Sequence, residues 1–272
     1  MVQARINAMI TGGSGRDRFQ YFLDEHLPGR LPVARAITLG CGTGDLERGL
    51  SKYGFAAVHE AVDLSDHAIL AARQAAAAQQ LRHIQYRAAD LNSLRLEPDS
   101  YDVVFGVSSI HHVENLENLF SQVHAALRPG GLFFLDEYVG PTRFQWTDVQ
   151  LRLMNEQLRK LPESLRRSVS ERGKVKTEVI RKTLDYMKAS DPSEAVRSAD
   201  IVPLLRQHFK VVEFKGYGGS LLHELLFDIA GNFAQANDGS LARLEELFRI
   251  EDDLLESGTL PHDFAYAVAT TA

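Results

Sequence analysis

Short apolar runs alternate with amphipathic segments through the first half of the chain. These runs have the length and composition of buried strands, and they lie at residues 36–39, 57–64, 84–88, 101–107 and 132–138. Helical spacing of the apolar residues fills most of the intervals between them, at residues 46–53, 67–80 and 116–127. Strands that alternate with helices indicate a parallel sheet covered by helices on both faces.

The second half of the chain has a different pattern. Residues 144–183 are helical in period without a strand-like run, and residues 221–256 are again mostly helical, with a break near residues 237–239. A helix at 202–208 and strands at 210–217 and 264–269 complete the pattern. We therefore predict an α/β fold, a doubly wound and mostly parallel seven-stranded sheet with helical insertions that form a cap.

This pattern predicts a single domain over residues 1–272. Its segments are an N-terminal helical lid at 1–30, a cofactor-binding core at 36–140 and 202–272, and helical cap insertions at 141–201 and 220–260. The pair Gly12-Gly13 between the two N-terminal helices suits either a hinge for that lid or an ordinary turn.

Composition and charge narrow the classes of function. The formal charge of −6 and the sequence pI of about 5.9 argue against a nucleic-acid partner, because a phosphate backbone requires a basic face. The single cysteine, Cys41, cannot form an intramolecular disulfide. Neither a secretory signal nor an apolar run of membrane-spanning length is evident, so we expect a cytoplasmic protein that does not contact a membrane. The oligomeric state stays open.

The most informative motif is the glycine-rich segment at 37–45, which follows the first apolar run. Gly40, Gly42 and Gly44 occupy alternate positions, so the backbone can adopt positive φ there and a ligand can approach closely. The helix that follows offers unpaired N–H groups to an anionic or carboxylate-bearing ligand. A dinucleotide fingerprint needs its third glycine at the sixth position, which here is Asp45. The loop therefore favours a nucleoside ligand without phosphates over NAD.

Four landmarks in the same order resemble the class I S-adenosylmethionine-dependent methyltransferase family. They are Leu39-Gly40-Cys41-Gly42-Thr43-Gly44, Val62-Asp63-Leu64-Ser65, Ala89-Asp90-Leu91, and the segment from Tyr101-Asp102-Val103-Val104 to Leu127-Arg128-Pro129-Gly130-Gly131. The resemblance covers about residues 36–138 and the last two strands. It implies that S-adenosylmethionine is the cofactor and that the residues binding it are Gly40, Cys41, Gly42, Gly44, Asp63, Leu64, Asp90, Leu91 and Ser108.

Asp63 can also be interpreted from its position alone. It ends the second strand, and ligands of a doubly wound sheet bind beyond the carboxyl ends of the strands. A carboxylate there can accept hydrogen bonds from two neighbouring ribose hydroxyls, or it can cap the next helix. Asp90 leaves a similar pair of alternatives, a contact with the adenine amino group or an ordinary loop position.

The candidate catalytic residues are His112, His111 and Glu137, which follow or end the fourth and fifth strands. A hydroxyl acceptor needs a general base in addition to positioning and desolvation. Adjacent residues point in different directions, so we expect one histidine to face the acceptor, with His112 slightly preferred. Glu137 would orient a histidine, bind a substrate hydroxyl or make a structural hydrogen bond.

A metal site is the alternative for this region. His111, His112, Asp136 and Glu137 all carry side chains that ligate metals. No spacing pattern supports such a site, so no metal is predicted.

The acceptor pocket is predicted from the residues near the strand ends and in the helical segments. Tyr138, Arg143, Trp146 and His223 are the substrate-binding candidates. Further candidates for the lining are Phe19, Tyr21, Phe144 and Tyr217. Each of these side chains can equally belong to the packed core between helices.

The resemblance implies transfer of a methyl group to a small-molecule acceptor, and we expect a hydroxyl of a saccharide or a natural-product scaffold. Three other classes stay open: a methyltransferase acting on protein or RNA, a non-catalytic protein that binds S-adenosylmethionine, and an NAD-dependent oxidoreductase. The early third glycine and Asp45 count against the last of these.

Overall fold

The structure is a computed structural model, and it describes residues 1–234 and 238–271. The chain forms two compact units. The sheet unit comprises Met1–Val139, Ser193–Tyr217 and Ala265–Ala272. The helical unit comprises Gly140–Pro192 and Gly218–Phe264. Residues 193–201, which the sequence pattern assigned to a cap insertion, thus belong to the sheet unit.

A seven-stranded sheet organises the sheet unit, with the strand order β3-β2-β1-β4-β5-β7-β6. Strands β1 to β5 pair in parallel, whereas β6 and β7 pair antiparallel. This arrangement confirms the predicted fold class. The strands are β1 (Val33–Leu39), β2 (Ala56–Asp63), β3 (Ile84–Ala88), β4 (Tyr101–Val107), β5 (Leu127–Tyr138), β6 (Lys210–Gly216) and β7 (Phe264–Thr270).

The helices are numbered along the whole chain. They are α1 (Val2–Thr11), α2 (Arg18–His26), α3 (Asp45–Ser51), α4 (Asp66–Ala78), α5 (Leu116–Ala126), α6 (Asp148–Lys160), α7 (Glu163–Arg166), α8 (Leu184–Ser190), α9 (Ile201–His208), α10 (Leu222–Leu226) and α11 (Asp238–Glu256). Short 3₁₀ turns lie at Ile110–His112, Thr142–Phe144, Ser198–Asp200 and Ala230–Phe233. None of the helices within residues 1–234 and 238–271 combines the length and apolar character needed to cross a bilayer.

The N-terminal helices pack on the sheet through aromatic side chains. Phe22 of α2 is fully buried, and its ring centroid lies 5.7 Å from that of Phe105 and 5.0 Å from that of Phe134. Gly12 ends α1 in the left-handed conformation, with φ of 65°. The glycine turn is therefore present, while a lid that moves about it stays a prediction.

Two predicted elements differ from the structure. The fifth strand begins at Leu127 rather than after the glycine pair at 130–131, because Leu127 already pairs with Tyr101 across a bulge. Residues 167–183 contain no helix, although the sequence pattern suggested one, and an antiparallel bridge joins Arg167 to Val175. The predicted break near 237–239 falls partly on Asn237, which lies outside the described residues; α11 begins at Asp238.

Each unit has its own apolar core. In the sheet unit, strands β1, β4 and β5 contribute fully buried residues such as Ile37, Val104 and Phe133, which pack with Phe120 of α5 and Leu205 of α9. The near-continuous apolar character of these strands is typical of a parallel sheet buried on both faces. In the helical unit, the buried core joins α6, α10 and α11 and includes Trp146, Met154, Leu158, Leu225 and Leu247.

Candidate functional site

The glycine loop leaves β1 at the carboxyl edge of the sheet. Gly40, Gly42 and Gly44 all have positive φ, at 74°, 51° and 79°. At Gly40 the requirement is also steric, because a Cβ atom there would lie 2.3 Å from the Cβ of Ser109. Residues other than glycine rarely adopt a positive φ without strain. The loop therefore holds its backbone close to the segment that follows β4.

Asp63 ties the end of β2 to this loop. One of its carboxylate oxygens accepts a hydrogen bond from the Gly42 N–H at 2.8 Å, and the other accepts one from the Ser65 N–H at 2.9 Å. The cap of α4 is a different residue, since the Ser65 hydroxyl accepts from the Ala68 N–H. Leu64, the next residue, is 73% exposed. An exposed apolar side chain beside a carboxylate suits contact with a flat base and its ribose.

The loop after β3 is organised by Asp90. Its carboxylate accepts hydrogen bonds from the backbone N–H and the side-chain amide of Asn92, at 2.9 and 3.0 Å. Asn92 in turn accepts from the backbone N–H groups of Glu114 and Asn115, both at 2.9 Å. This chain of contacts connects the loop after β3 with the start of α5, while Leu91 stays half-buried beside it.

The segment after β4 brings two histidines to the same edge of the sheet. Ser108 has a φ of 49°, unusual for a residue with a side chain. The Ser109 hydroxyl donates to the Leu39 carbonyl at 2.6 Å, which anchors the segment to the end of β1. Immediately afterwards, the 3₁₀ turn Ile110–His112 presents His111 and His112.

Glu137 at the end of β5 is completely buried and organises this turn. Its Oε1 accepts hydrogen bonds from the backbone N–H groups of Ser109 and Ile110. Its Oε2 lies 2.6 Å from Nδ1 of His111. Because a carboxylate can only accept, Nδ1 of His111 carries the proton and the lone pair of the neutral ring lies on Nε2. Glu137 thus both makes a structural hydrogen bond to the turn and orients a histidine.

The sequence did not point to Ser193 and Glu194, which approach the same histidines. The Ser193 hydroxyl lies 3.0 Å from Nδ1 of His112. The Glu194 carboxylate lies 3.6 Å from Nε2 of His111 and 4.0 Å from Nε2 of His112. No local pattern marks these two residues, which follow Pro192 in a polar stretch.

The two imidazole rings lie side by side, with centroids 4.3 Å apart. Both rings approach the carboxylate of Glu194, so the two side chains do not lie on opposite sides of the chain. The 3₁₀ turn accounts for this, because it turns the chain by about 120° per residue, against about 180° in an extended strand. That one histidine faces the acceptor stays a prediction.

Comparison with known proteins identifies the domain that carries these features. The sequence profile described as "Methyltransferase domain" matches residues 37–135, which begin within β1 and end within β5. The chain therefore carries a methyltransferase domain over residues 37–135.

Two curated relatives are similar to part of this chain. A ubiquinone biosynthesis O-methyltransferase of Coxiella burnetii is 31% identical over 104 residues, which are 38% of this chain and 43% of that protein. A sterol 24-C-methyltransferase of Candida albicans is 26% identical over 119 residues, which are 43% of this chain and 31% of that protein. The chain thus spans less than half the length of either relative.

Solved structures extend the similarity of fold to most of the chain. An S-adenosylmethionine-dependent methyltransferase from Mesorhizobium loti has a TM-score of 0.50 and 22% identity, and the match covers 91% of this chain and 94% of that one. A geranyl diphosphate methyltransferase in complex with S-adenosylmethionine has a TM-score of 0.56 and 14% identity, covering 93% and 84%. At these identities the likeness concerns the fold.

A buried group of polar side chains surrounds Asp136, which precedes Glu137 at the end of β5. Asp136 is 2% exposed and contacts the Arg18 guanidinium of α2 and the Tyr217 hydroxyl. Burial raises the pKa of Asp136, although Arg18 opposes the rise. Burial beside Asp136 likewise raises the pKa of Tyr217. Tyr217, a predicted lining residue, is thus engaged with Asp136.

Two ionisable groups, one in the glycine loop and one in the helix that follows it, have raised pKa values. Burial raises the pKa of the Cys41 thiol, which argues against a nucleophilic role for this cysteine. Glu47 of α3 is completely buried, and burial raises its pKa to about 7. Among residues 1–234 and 238–271, its carboxylate oxygens find no hydrogen-bond partner of ordinary geometry, although hydrogen bonding to the Thr38 and Tyr86 side chains opposes that rise.

The predicted substrate residues are distributed over both units. Tyr138 is buried in the sheet unit, with its ring centroid 6.4 Å from that of His111. In the helical unit, Phe144 stacks on the buried Trp146 with centroids 5.3 Å apart, and it meets His223 edge-to-face at 5.7 Å. Arg143 has a φ of 57° and donates to the Asp191 carbonyl. A role for these residues in binding the acceptor stays a prediction.

Proposed function

We propose that this protein transfers the methyl group of S-adenosylmethionine to a hydroxyl of a small-molecule acceptor, a saccharide or a natural-product scaffold. The observation that carries the proposal is the contact between His111 and Glu137, made beside the glycine loop of the methyltransferase domain. A buried carboxylate that fixes the tautomer of an imidazole is the arrangement expected of a general base.

We propose the cofactor-binding roles from the order of the loops along the sheet edge. Gly40, Cys41, Gly42 and Gly44 would cradle the amino-acid tail of S-adenosylmethionine at the start of α3. Asp63 would accept hydrogen bonds from the ribose hydroxyls while Leu64 packs on the base. Asp90 and Leu91 would contact the adenine, and Ser108 would line the site after β4. The support is that all these residues follow the carboxyl ends of parallel strands.

The cofactor, when bound, supplies an electrophilic methyl group on a sulfonium. His111 would accept the proton of the acceptor hydroxyl on Nε2, and the buried carboxylate of Glu137 would stabilise the imidazolium that forms. The hydroxyl oxygen then forms the bond to the methyl carbon as the carbon–sulfur bond breaks. The contacts favour His111 over His112 as the base, because His112 is held by a neutral hydroxyl.

The two curated relatives bear on the atom that is methylated. One is described as an O-methyltransferase and the other as a C-methyltransferase, so similarity alone leaves the atom open. A general base oriented by a carboxylate favours a hydroxyl, which must lose a proton during transfer.

A direct test measures cofactor binding and transfer separately. Calorimetry with S-adenosylhomocysteine should show one site per chain, and methyl groups labelled in the donor should appear in an acceptor from a panel of saccharides and phenolic natural products. Absence of cofactor binding would contradict the whole proposal. Binding with labelled product only on added protein or RNA would favour a macromolecular acceptor, and binding without any product would favour the non-catalytic alternative.

A further inference from the structure

We propose that His111, His112 and Glu194 together bind one divalent transition-metal ion. Their candidate ligand atoms all lie within 4.8 Å of one another, and all three residues belong to the sheet unit. The Glu194 carboxylate faces Nε2 of both histidines, at 3.6 and 4.0 Å. Two ligands of a tetrahedral ion at about 2.0–2.1 Å lie roughly 3.3 Å apart, so the two nitrogen–oxygen distances would have to shorten by roughly 0.3 and 0.7 Å, and the widest ligand pair by up to roughly 1.5 Å.

The outer contacts of the two histidines support this assignment. A histidine that ligates through Nε2 normally has its Nδ1 hydrogen-bonded to a carboxylate, a hydroxyl or a carbonyl. Here Nδ1 of His111 is held by the buried Glu137, and Nδ1 of His112 is held by the Ser193 hydroxyl. Both rings are therefore oriented with Nε2 toward the same carboxylate. Two histidines that served only to pack the interior would not need to have both Nδ1 atoms hydrogen-bonded and both Nε2 atoms directed at one carboxylate.

The segment that carries Glu194 is attached to the histidine turn by contacts of the residues that follow it. The Val196 N–H donates to the His111 carbonyl at 3.1 Å. Arg197 then pairs with Glu117 of α5 at 2.7 Å and with Asp200 at 2.8 Å. These contacts hold the segment that carries Glu194 against the 3₁₀ turn of the histidines, as a preformed metal site requires.

The ligand set indicates the class of ion. Two imidazoles with one carboxylate suit zinc, iron(II), cobalt(II) or nickel(II), whereas magnesium and calcium prefer an all-oxygen set. Three protein ligands leave at least one position for an exogenous oxygen. His112 and Glu194 keep 38% and 25% of their side chains exposed, so that position is open to a ligand.

The role of the metal ion in the reaction rests on the proposed function, because the exogenous oxygen ligand would be the hydroxyl of the acceptor. A coordinated hydroxyl loses its proton to water more readily, because the ion stabilises the resulting alkoxide. The alkoxide oxygen then forms the carbon–oxygen bond, and the carbon–sulfur bond breaks to release S-adenosylhomocysteine. With the ion bound, Nε2 of His111 coordinates it and no longer acts as the base. An acceptor with two adjacent oxygens, such as a vicinal diol of a saccharide, would chelate the ion best.

Cobalt(II) is the probe for the test, because its visible absorption bands report nitrogen and oxygen coordination. The full chain, freed of metal with a chelator, should bind one cobalt ion and develop these bands, while magnesium should neither bind nor compete. Glu194→Gln and His112→Asn should each weaken cobalt binding by at least about tenfold. His67→Asn, which alters an exposed histidine of α4, is the matched control and should bind cobalt like the wild type.

Ser193→Ala separates a metal site from a merely structural cluster. Loss of the hydrogen bond to Nδ1 of His112 should weaken cobalt binding by about tenfold while the circular dichroism spectrum and S-adenosylhomocysteine binding stay unchanged. Absence of the visible bands in the wild type, or equal cobalt affinity in Glu194→Gln and His112→Asn, would overturn the metal site. Full transfer activity in excess chelator would overturn its role in activating the acceptor. Cobalt binding without any methyl transfer would count against the proposed function alone.

Discussion

Gly40 and Ser109 lie so close together that the glycine loop packs directly against the segment that leads into the 3₁₀ turn Ile110–His112. A Cβ atom on Gly40 would lie 2.3 Å from the Cβ of Ser109, and the Ser109 hydroxyl donates to the carbonyl of Leu39. The residues expected to hold the donor are thereby attached directly to those expected to act on the acceptor. A substitution in the glycine loop should therefore alter the geometry around Ser109, and a substitution at Ser109 should alter the loop.

The first prediction concerns Gly40→Ala. Steric overlap with Ser109 and a positive φ should lower the free energy of unfolding by about 1–3 kcal/mol and should weaken S-adenosylhomocysteine binding. Urea denaturation and calorimetry measure the two effects. Gly49→Ala is the matched control, because Gly49 lies within α3 and, in the part of the chain that the structure describes, no atom beyond its chain neighbours and its own helix backbone lies within 4 Å of its Cβ position. That variant should instead gain about 0.5–1 kcal/mol, and equal effects of the two substitutions would contradict the steric argument.

The second prediction concerns Asp63→Asn. Asparagine has the same shape as aspartate, but its amide NH₂ group replaces one of the two carboxylate oxygens. One of the two backbone N–H groups that now donate to Asp63, that of Gly42 or that of Ser65, would then face another donor. Loss of that acceptor and of the ribose contact should weaken S-adenosylhomocysteine binding by at least about tenfold. Calorimetry is the measurement. Asp66→Asn, in the exposed first turn of α4, should leave the affinity unchanged. Unaltered affinity in the Asp63 variant would remove its proposed role.

The third prediction concerns Glu137→Gln, which should reverse the tautomer of His111. The two backbone N–H groups that donate to Oε1 would retain the amide oxygen there, so the amide nitrogen would face Nδ1 of His111. Nδ1 must then accept, and Nε2 carries the proton and can neither take a proton nor ligate a metal. We expect kcat to fall by about 10²–10⁴-fold with little change in S-adenosylhomocysteine affinity. Equal kcat in variant and wild type would exclude this role for Glu137.

The fourth prediction concerns the pH dependence of stability. The pKa of Glu47 is raised from 4.5 to about 7 in the folded state, so the folded protein retains a proton that the unfolded chain releases. The group therefore favours folding below about pH 4.5, and this contribution is lost as pH rises toward 7. Glu47→Gln should be more stable than the wild type at pH 8, by up to about 3 kcal/mol relative to their difference at pH 4.5.

Urea denaturation of both proteins at the two pH values checks this expectation. Burial also raises the pKa of Asp263, in the helical unit, to about 7. Because both proteins contain Asp263, its contribution cancels in the difference between them, and the change with pH reports Glu47. Asp45→Asn, at an exposed position of α3, should show the same pH dependence as the wild type. A stability difference that does not change with pH would show that folding does not raise the pKa of Glu47.

The fifth prediction concerns Arg143→Gly. Arg143 and Phe144 are consecutive non-glycine residues with positive φ, at 57° and 51°. Glycine relieves the strain at position 143 and adds freedom to the unfolded chain, so stability should change by less than about 1 kcal/mol. If Arg143 binds the acceptor, KM for the acceptor should rise by at least about tenfold at unchanged cofactor affinity. Arg143→Lys, which keeps the charge, should recover part of the loss; an unaltered KM in the glycine variant would contradict the substrate role.

Helices and strands of the sheet unit could be predicted closely from local pattern. Strands β3 and β4 begin and end at the predicted residues 84–88 and 101–107, because each is a short apolar run bounded by polar or turn-forming residues. The pattern failed at residues 167–183, where the polar stretch has a helical period but pairs with distant segments instead. There Val169 donates its N–H to the Asp228 carbonyl, and no local pattern records that contact.

The sequence by itself determined the fold class, the position of the glycine loop and the family of the domain, because alternating periodicity and glycine spacing are properties of neighbouring residues. Tertiary structure alone decided that Glu194 and Ser193 face His111 and His112, some eighty residues earlier in the chain. It also decided that Glu47, a charged residue on a helix, is completely buried. Such contacts arise when separate elements pack together, so they depend on the arrangement of the whole sheet unit and not on the residues adjacent in sequence.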